Sequence, residues 1–535
     1  MKPSHTKSII FLCALCIGAL IQYPFLNFQV KLAQGDHGLN LYAIEAVLNG
    51  QKPYRDFHWF YSPFMLYFYA FFFLVFKSSV LTILHAVAFI KIATGMLIYA
   101  TLALYFTPIL SLIGAMWFWI FSSDFTYTYN HTGGWLLSMF SFLFLVSYLK
   151  TSQIKNLYFA LCGTMILCLI KLNFGISTLA GILASVAFID LILKRPVDKN
   201  KKYFYFYSFI GFPAILSLLH VYFLWNIPFY NIRQCFQYFG TDAYKGTYPS
   251  IFETIFTSFR NHFTMLTRNP INLLLDISLL VIFLTLVIQY LRNKDKRKNI
   301  LPVFLLLFAC FTFYLLNLHE YLLSAVRFRG FWAEPFKYIL IFILLGWAVE
   351  FIHKKRHLIV YVTLLAVPLT TYMTNIQATE AIKTPTQFLP HKKAGVYTTN
   401  SPYWTATVLQ TTAFLKEHMT EKELFLVVPY APIYYFLMDK PSPVRQLAFF
   451  DFQNITKEEQ QRTIREIETK NVNWLITTSR VIGDAAGLGR FGKSNSLRLK
   501  QYLDDHFEFV IQFGKWDTNG GWIDPHGTKI YRRIK

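Results

Sequence analysis

GDHGLNLYAIEAVLNGQKPYRDFHWFYSPFMLYFYAFFFLVF (residues 35–76) runs from a charged stretch into an apolar one. Its first part gathers Asp36, His37, Glu45, Arg55, Asp56 and His58, in a chain that elsewhere is rich in Phe, Leu, Ile and Tyr. Its last part, PFMLYFYAFFFLVF (63–76), carries no charge. Whether that last part crosses a membrane decides the sidedness of everything after it.

Of 535 residues, 54% are hydrophobic and 15% charged, against about 25% charged in a typical soluble domain. Many windows of about 20 residues are almost free of charge, long enough as helices to cross roughly 30 Å of hydrocarbon. The composition is that of a polytopic helical membrane protein. The net charge of +22 raises the question of nucleic acid, but the excess collects in KRPVDKNKK (194–202), RNKDKRK (292–298) and HKKRH (353–357), between apolar runs. That distribution reports topology, and no nucleic-acid partner is expected. Five of the six cysteines lie in apolar runs and Cys235 stands alone in a polar loop, so neither a disulfide framework nor a cysteine metal site is expected.

Working outward from 35–76, eleven spans are expected at 8–28, 79–106, 107–123, 134–149, 157–172, 174–193, 203–225, 272–291, 300–317, 335–352 and 357–374. With the N-terminus in the cytoplasm, this count places Lys150, Lys155 and all three basic runs on the cytoplasmic side of a plasma-membrane protein. One more crossing at 63–76 would move every later basic loop outside. The segment is also short, which suits an interfacial helix that does not span. A second helix is expected at 38–49, ended by Gly50, with one stripe of Leu39, Tyr42, Ala43, Ala46 and Val47 and another of Leu41, Ile44 and Leu48. Two apolar faces suggest a helix lodged between lipid and protein.

After about residue 375 the pattern changes. LFLVVPY (424–430), VNWLITT (472–478), FEFVIQFG (507–514) and TKIYRRI (528–534) read as strands, and 456–470 as a charged helix. The division expected is a transmembrane domain at 1–374 and an extracytoplasmic α/β domain at 375–535. GDAAGLGRFG (483–492) lacks the strand and helix spacing of a dinucleotide fingerprint and reads as a glycine-rich loop. NHT (130–132) and NIT (454–456) match a glycosylation sequon short enough to arise by chance.

On this topology polar residues recur where spans emerge outside: Asp36 after the first, Asp124 after the third, Lys171 at the end of the fifth, and Arg327, Arg329 and Glu334 before the tenth. Polar groups at membrane depth are costly unless they face protein or water, so their placement is itself a functional hint. Each has a plain alternative. Asp36 could cap the following helix, Asp124 could be an ordinary loop aspartate, and each cation could snorkel to the interface. Lys91 and His85 sit within the second expected span.

The order of a first span, then Asp36, then LYAIEAVLNGQKPYRDFHW, then the proline-led YSPFMLYFYAFFFLVF, resembles multi-spanning glycosyltransferases of the GT-C fold. It is similar above all to bacterial relatives of the protein O-mannosyltransferases and lipid A aminoarabinose transferases, glycosyltransferase family 39 and its kin. The resemblance extends loosely to Asp124, the Lys171 turn and the α/β tail. In that family two helices after the first span lie on the outer surface, as parity requires here on separate grounds. The resemblance implies transfer of a sugar from a polyprenyl-phosphate donor to a lipid, glycan or protein acceptor on the outer face of the membrane.

By the family pattern Asp36 is the base and Asp124 the second carboxylate. Arg55, His58, Lys171, Arg327 and Arg329 are the candidates for the donor phosphate, with Asp56, Lys91 and Glu334 in support. This sequence has YSPF where several branches of the family carry a double proline and a basic neighbour, so no metal or other cofactor is assigned. A glycan polymerase or ligase of another membrane fold would use similar substrates, but usually carries a large loop between late spans. A transporter should show repeated halves and interrupted helices, and neither is evident.

Overall fold

In the computed structural model the described residues are 3–26, 29–33, 35–122, 129–192, 198–236, scattered positions between 253 and 288, 297–324, 327–350, 357–449, 455–479, 491–516 and 527–534. The apolar runs form α1 (Pro3–Leu26), α3 (Phe64–Phe76), α4 (Val80–Ala103), α5 (Pro108–Phe121), α6 (Tyr129–Thr151), α7 (Ile154–Ile170) and α8 (Leu172–Ile192). The short α2 (Asp36–Leu48) comes before α3. Then α9 (Lys199–Phe206) and α10 (Phe212–Leu224) are joined by a π turn at Tyr207–Gly211, and α11 (Phe229–Phe236) follows. Later come α12 (Arg297–Asn317), α13 (His319–Ser324), a 3-10 turn at Arg327–Ala333, α14 (Glu334–Glu350) and α15 (His357–Ile382).

Helix starts follow local chemistry. The Ser79 hydroxyl accepts from the Thr82 N–H at the head of α4, and the Asp198 carboxylate accepts from the Lys201 N–H at the head of α9. Thr107 caps α5, with Pro108 at its first turn.

Among the described residues, six stretches are long and apolar enough to cross a membrane: Val80–Ala103, Thr132–Thr151, Leu172–Ile192, Lys199–Leu224, Gly330–Val349 and His357–Ala378. Shorter apolar helices at Ile9–Tyr23, Pro108–Phe121, Ile154–Ile170 and Leu301–Asn317 coincide with four more expected spans. The chain is a polytopic helical membrane protein. The expected span at 272–291 lies outside the described residues, as do most of the three basic runs and residues 483–490 of the glycine-rich loop.

The bundle core is aromatic, with Trp119, Trp135, Phe142, Phe313 and Phe336 all buried. By contrast α9–α10 and α15 leave Phe209, Leu218, Tyr222, Leu358 and Ile359 open to the surroundings. An apolar belt of this kind is what a hydrocarbon layer covers.

The C-terminal region holds a four-stranded sheet in the order β4-β5-β7-β6, made of Phe425–Val428, Trp474–Thr478, Thr528–Arg533 and Phe507–Phe513. The first pair is parallel, linked through a helix at Lys457–Thr469, and the other pairs are antiparallel. These are the four strands and the charged helix read from the sequence.

The join to the bundle was not legible. β1 (Gln29–Val30), right after α1, pairs in parallel with β3 (Val396–Thr398), which also pairs with β2 (Phe388–Leu389). The Asn400 amide then clamps Leu32, accepting from its N–H and donating to its carbonyl, both at 2.8 Å.

α2 departs from expectation. Leu39, Leu41, Tyr42, Ala43, Ile44, Ala46 and Val47 are all buried, so protein rather than lipid covers both stripes. One side packs on α3 and the other on a short helix at Ile433–Met438 of the C-terminal region. An apolar stripe states only that water is excluded; it does not say by what. At Gly38 the approach is so close that a Cβ would lie 2.2 Å from the Ile433 backbone nitrogen. α3 itself keeps an open apolar face of Phe71, Leu74, Val75 and Phe76.

Candidate active site

Asp36 is the first residue of α2, and the position before it, Gly35, is the N-cap. Its carboxylate does not cap the helix. Oδ1 instead accepts a hydrogen bond at 2.8 Å from the hydroxyl of Tyr430, 394 residues away. Tyr430 is buried on the segment between β4 and the 433–438 helix. A carboxylate in the first helical turn is also favoured by the helix dipole.

Further along α2, Glu45 is an ion-pair partner. Its Oε1 lies 2.6 Å from Lys393 Nζ and accepts from the Ser78 hydroxyl at 2.8 Å. Lys393 also pairs with Asp439. The C-terminal region therefore holds both ends of α2, by Tyr430 at the start and Lys393 near the finish.

In the turn between α2 and α3, Arg55 is exposed and forms two hydrogen bonds to Asp56, at 2.8 and 2.7 Å. His58 is buried, and its backbone N–H donates to the Arg445 carbonyl at 2.9 Å. Burial first, and the Arg445 charge second, pull the His58 imidazole down to about 3. At neutral pH this ring carries no charge to offer a phosphate.

Lys171 lies between α7 and α8 and is buried, its ammonium 2.5 Å from Glu320 Oε1. It stands over the rings of Phe174 and Trp332, at 5.1 and 5.3 Å. The Asn173 amide nitrogen donates to the same Glu320 oxygen at 2.8 Å and to His319 Nε2 at 2.9 Å. Phe174 stacks on Trp332 with ring centres 3.7 Å apart. Trp332 in turn lies so close to α6 that a Cβ on Gly134 would fall 1.7 Å from its ring.

The α2 and Lys171 groups share one end of the bundle. Met65 of α3 and Ile170, the residue before Lys171, both abut Gly133 of α6. Lys91 is buried in α4, where its carbonyl accepts from Trp119 Nε1 at 3.1 Å. Glu334 begins α14, directly after the 3-10 turn that holds Arg327 and Arg329. The side chains of those two arginines lie outside the described residues, and so does Asp124. Among the described residues, no three of His, Cys, Asp and Glu stand together as metal ligands would.

Sequence reading missed Glu320, Asn173, His319 and Tyr430. The first three could have been found by the rule that singled out Lys171, since LHE (318–320) closes an apolar run and Asn173 follows Lys171 by two residues. Tyr430 sits next to a buried strand, and nothing local marks it.

A bundle of this kind, with α2 and α3 after the first helix and a C-terminal sheet region, is the GT-C fold. The chain is similar in structure to ArnT from Cupriavidus metallidurans, solved bound to undecaprenyl phosphate, at 10% identity over 97% of each chain with a TM-score of 0.53. The apo state of that protein aligns at 9% identity over 98% of each chain, with a TM-score of 0.49. The arabinofuranosyltransferase AftD from Mycobacteria aligns at 11% identity over 98% of this chain and 39% of its own, with a TM-score of 0.47. No protein-family model matches the chain, and no curated protein sequence matches it.

Proposed function

We propose that this protein is a membrane glycosyltransferase that moves a sugar from a polyprenyl-phosphate donor to an acceptor on the outer face of the membrane, with Asp36 as the base. The observation that carries the reading is the fold shared across 97% of both chains with a protein solved on undecaprenyl phosphate. A donor dissolved in lipid calls for a site at the membrane boundary, and a shared site is supported by the meeting of Met65 of α3 with Ile170, the residue before Lys171, at Gly133. A polymerase or ligase of another membrane fold is disfavoured by the same likeness.

In the reaction the Asp36 carboxylate takes the proton of the acceptor nucleophile as that atom bonds to the anomeric carbon. The bond from that carbon to the phosphate oxygen breaks, and its electron pair leaves with the polyprenyl phosphate. A positioned base and fixed positive charge lower the barriers to these two changes. Lys171, Arg55, Arg327 and Arg329 are the cations assigned to the phosphate, and Asp124 is the second carboxylate. His58, being neutral, is assigned at most a hydrogen bond. Asp56, which holds Arg55, is a support, as are Lys91 and Glu334.

The test is sugar transfer by the full chain in proteoliposomes, from a panel of undecaprenyl-phosphate sugars to envelope extracts, followed by mass spectrometry. The unsubstituted chain should turn over at least one donor, and Asp36→Asn should abolish transfer while eluting as a folded protein. Normal turnover in Asp36→Asn would remove the base assignment, and no turnover of any donor by the unsubstituted chain would remove the transferase reading.

A further inference from the structure

We infer that Tyr430 is a positioning residue for Asp36, so that the C-terminal region completes the reacting end of the bundle. The inference rests on the reading of Asp36 as the base.

Three observations converge on it. First, the Tyr430 hydroxyl donates to Asp36 Oδ1 at 2.8 Å, a bond from a buried ring to a partly buried carboxylate. Such a bond leaves Oδ2 as the oxygen available to an acceptor proton and restricts rotation of the carboxyl group. Second, the spacing between the two elements is set by backbone. The contact of Gly38 with the Ile433 nitrogen lies two residues after Asp36 and three after Tyr430, so neither side chain has to search for the other. Third, two further anchors of α2 are also C-terminal: Lys393 on Glu45, and the Tyr42 hydroxyl accepting from the Ser442 N–H at 3.0 Å. The helix bearing the base is thus held by the C-terminal region near its start, its middle and its finish. Without the hydroxyl, the carboxylate keeps its place in sequence but loses the contact that aims it.

A control lies close by. Tyr434, four residues on, is buried as Tyr430 is, and its hydroxyl bonds to Thr528 Oγ1 at 3.0 Å, within the C-terminal region. Removing either hydroxyl deletes a side-chain hydrogen bond, but only that of Tyr430 is made to Asp36.

The experiment measures kcat and KM in proteoliposomes for whichever undecaprenyl-phosphate sugar the unsubstituted chain turns over. Tyr430→Phe should lower kcat about tenfold and leave the donor KM within about twofold, because a misaimed base slows the chemical step without loosening the donor. Tyr434→Phe should keep the normal kcat. The inference is overturned if Tyr430→Phe turns over normally, if it raises KM in place of lowering kcat, or if both variants lose kcat alike, which marks a general packing defect. Failure of the underlying reading looks different, because Asp36→Asn would then retain turnover whatever Tyr430→Phe does.

Discussion

Lys171 and Glu320 form an ion pair of 2.5 Å, almost closed to solvent, with the ammonium held over Phe174 and Trp332. Removing one member of such a pair strands the other charge, at a cost of about 3–5 kcal/mol, whereas replacing both by apolar groups is often near neutral. Lys171→Met should therefore lower the denaturation midpoint strongly, and Lys171→Met with Glu320→Leu should restore it. Sugar transfer should stay lost in the double variant if Lys171 serves the donor phosphate as proposed. Normal transfer in the restored protein would make Lys171 purely structural.

Gly38 lies against the Ile433 backbone, where a Cβ would stand 2.2 Å from nitrogen. Backbone cannot rotate aside, so Gly38→Ala has to push α2 off the C-terminal region. Overpacking of this kind costs about 1–3 kcal/mol, and here it falls two residues from Asp36. The variant should show a lower denaturation midpoint, faster proteolysis of the C-terminal region and a fall in transfer larger than the stability loss explains.

Arg55 is exposed and bonded to Asp56. Exposed ion pairs contribute at most about 1 kcal/mol, so Arg55→Ala should leave the midpoint nearly unchanged. As a cation assigned to the donor phosphate, its loss should raise the donor KM about tenfold. An unchanged KM would return Arg55 to the ordinary surface.

His58 stays neutral in the folded chain down to about pH 3, against an ordinary 6.5. Between those values the unfolded chain binds the proton and the folded chain does not, so stability is present above pH 6.5 and falls as pH drops. The slope from this one group approaches about 1.4 kcal/mol per pH unit well below pH 6.5. His391, lowered to about 4 chiefly by burial and then by Lys416, acts with the same sign. His58→Gln should therefore flatten the acid limb of the stability profile by about one proton without abolishing it, as denaturation midpoints from pH 7 to pH 4 would show.

Sequence alone determined most of the architecture, because it is written in local composition. Charge-free runs state their own need for burial, and ten of the eleven expected spans coincide with described apolar helices. Short runs rich in β-branched and aromatic residues marked the four strands of the C-terminal sheet. The same logic singled out Asp36 and Lys171, polar residues placed where long apolar runs stop.

What sequence could not decide is which surfaces meet. The two stripes of α2 are as apolar as lipid contact would require, yet α3 and the 433–438 helix cover them. β1 is two residues long, too short for any alternation to show, and its partner lies in the C-terminal region. Glu45 reads as a polar break in a helix until Lys393 arrives beside it, and nothing local in the sequence shows that the Asp36 carboxylate accepts from the Tyr430 hydroxyl. Periodicity records how much water a residue avoids, a property of its own side chain. Which partner replaces that water depends on chain hundreds of residues distant, and only the packed structure brings the two together.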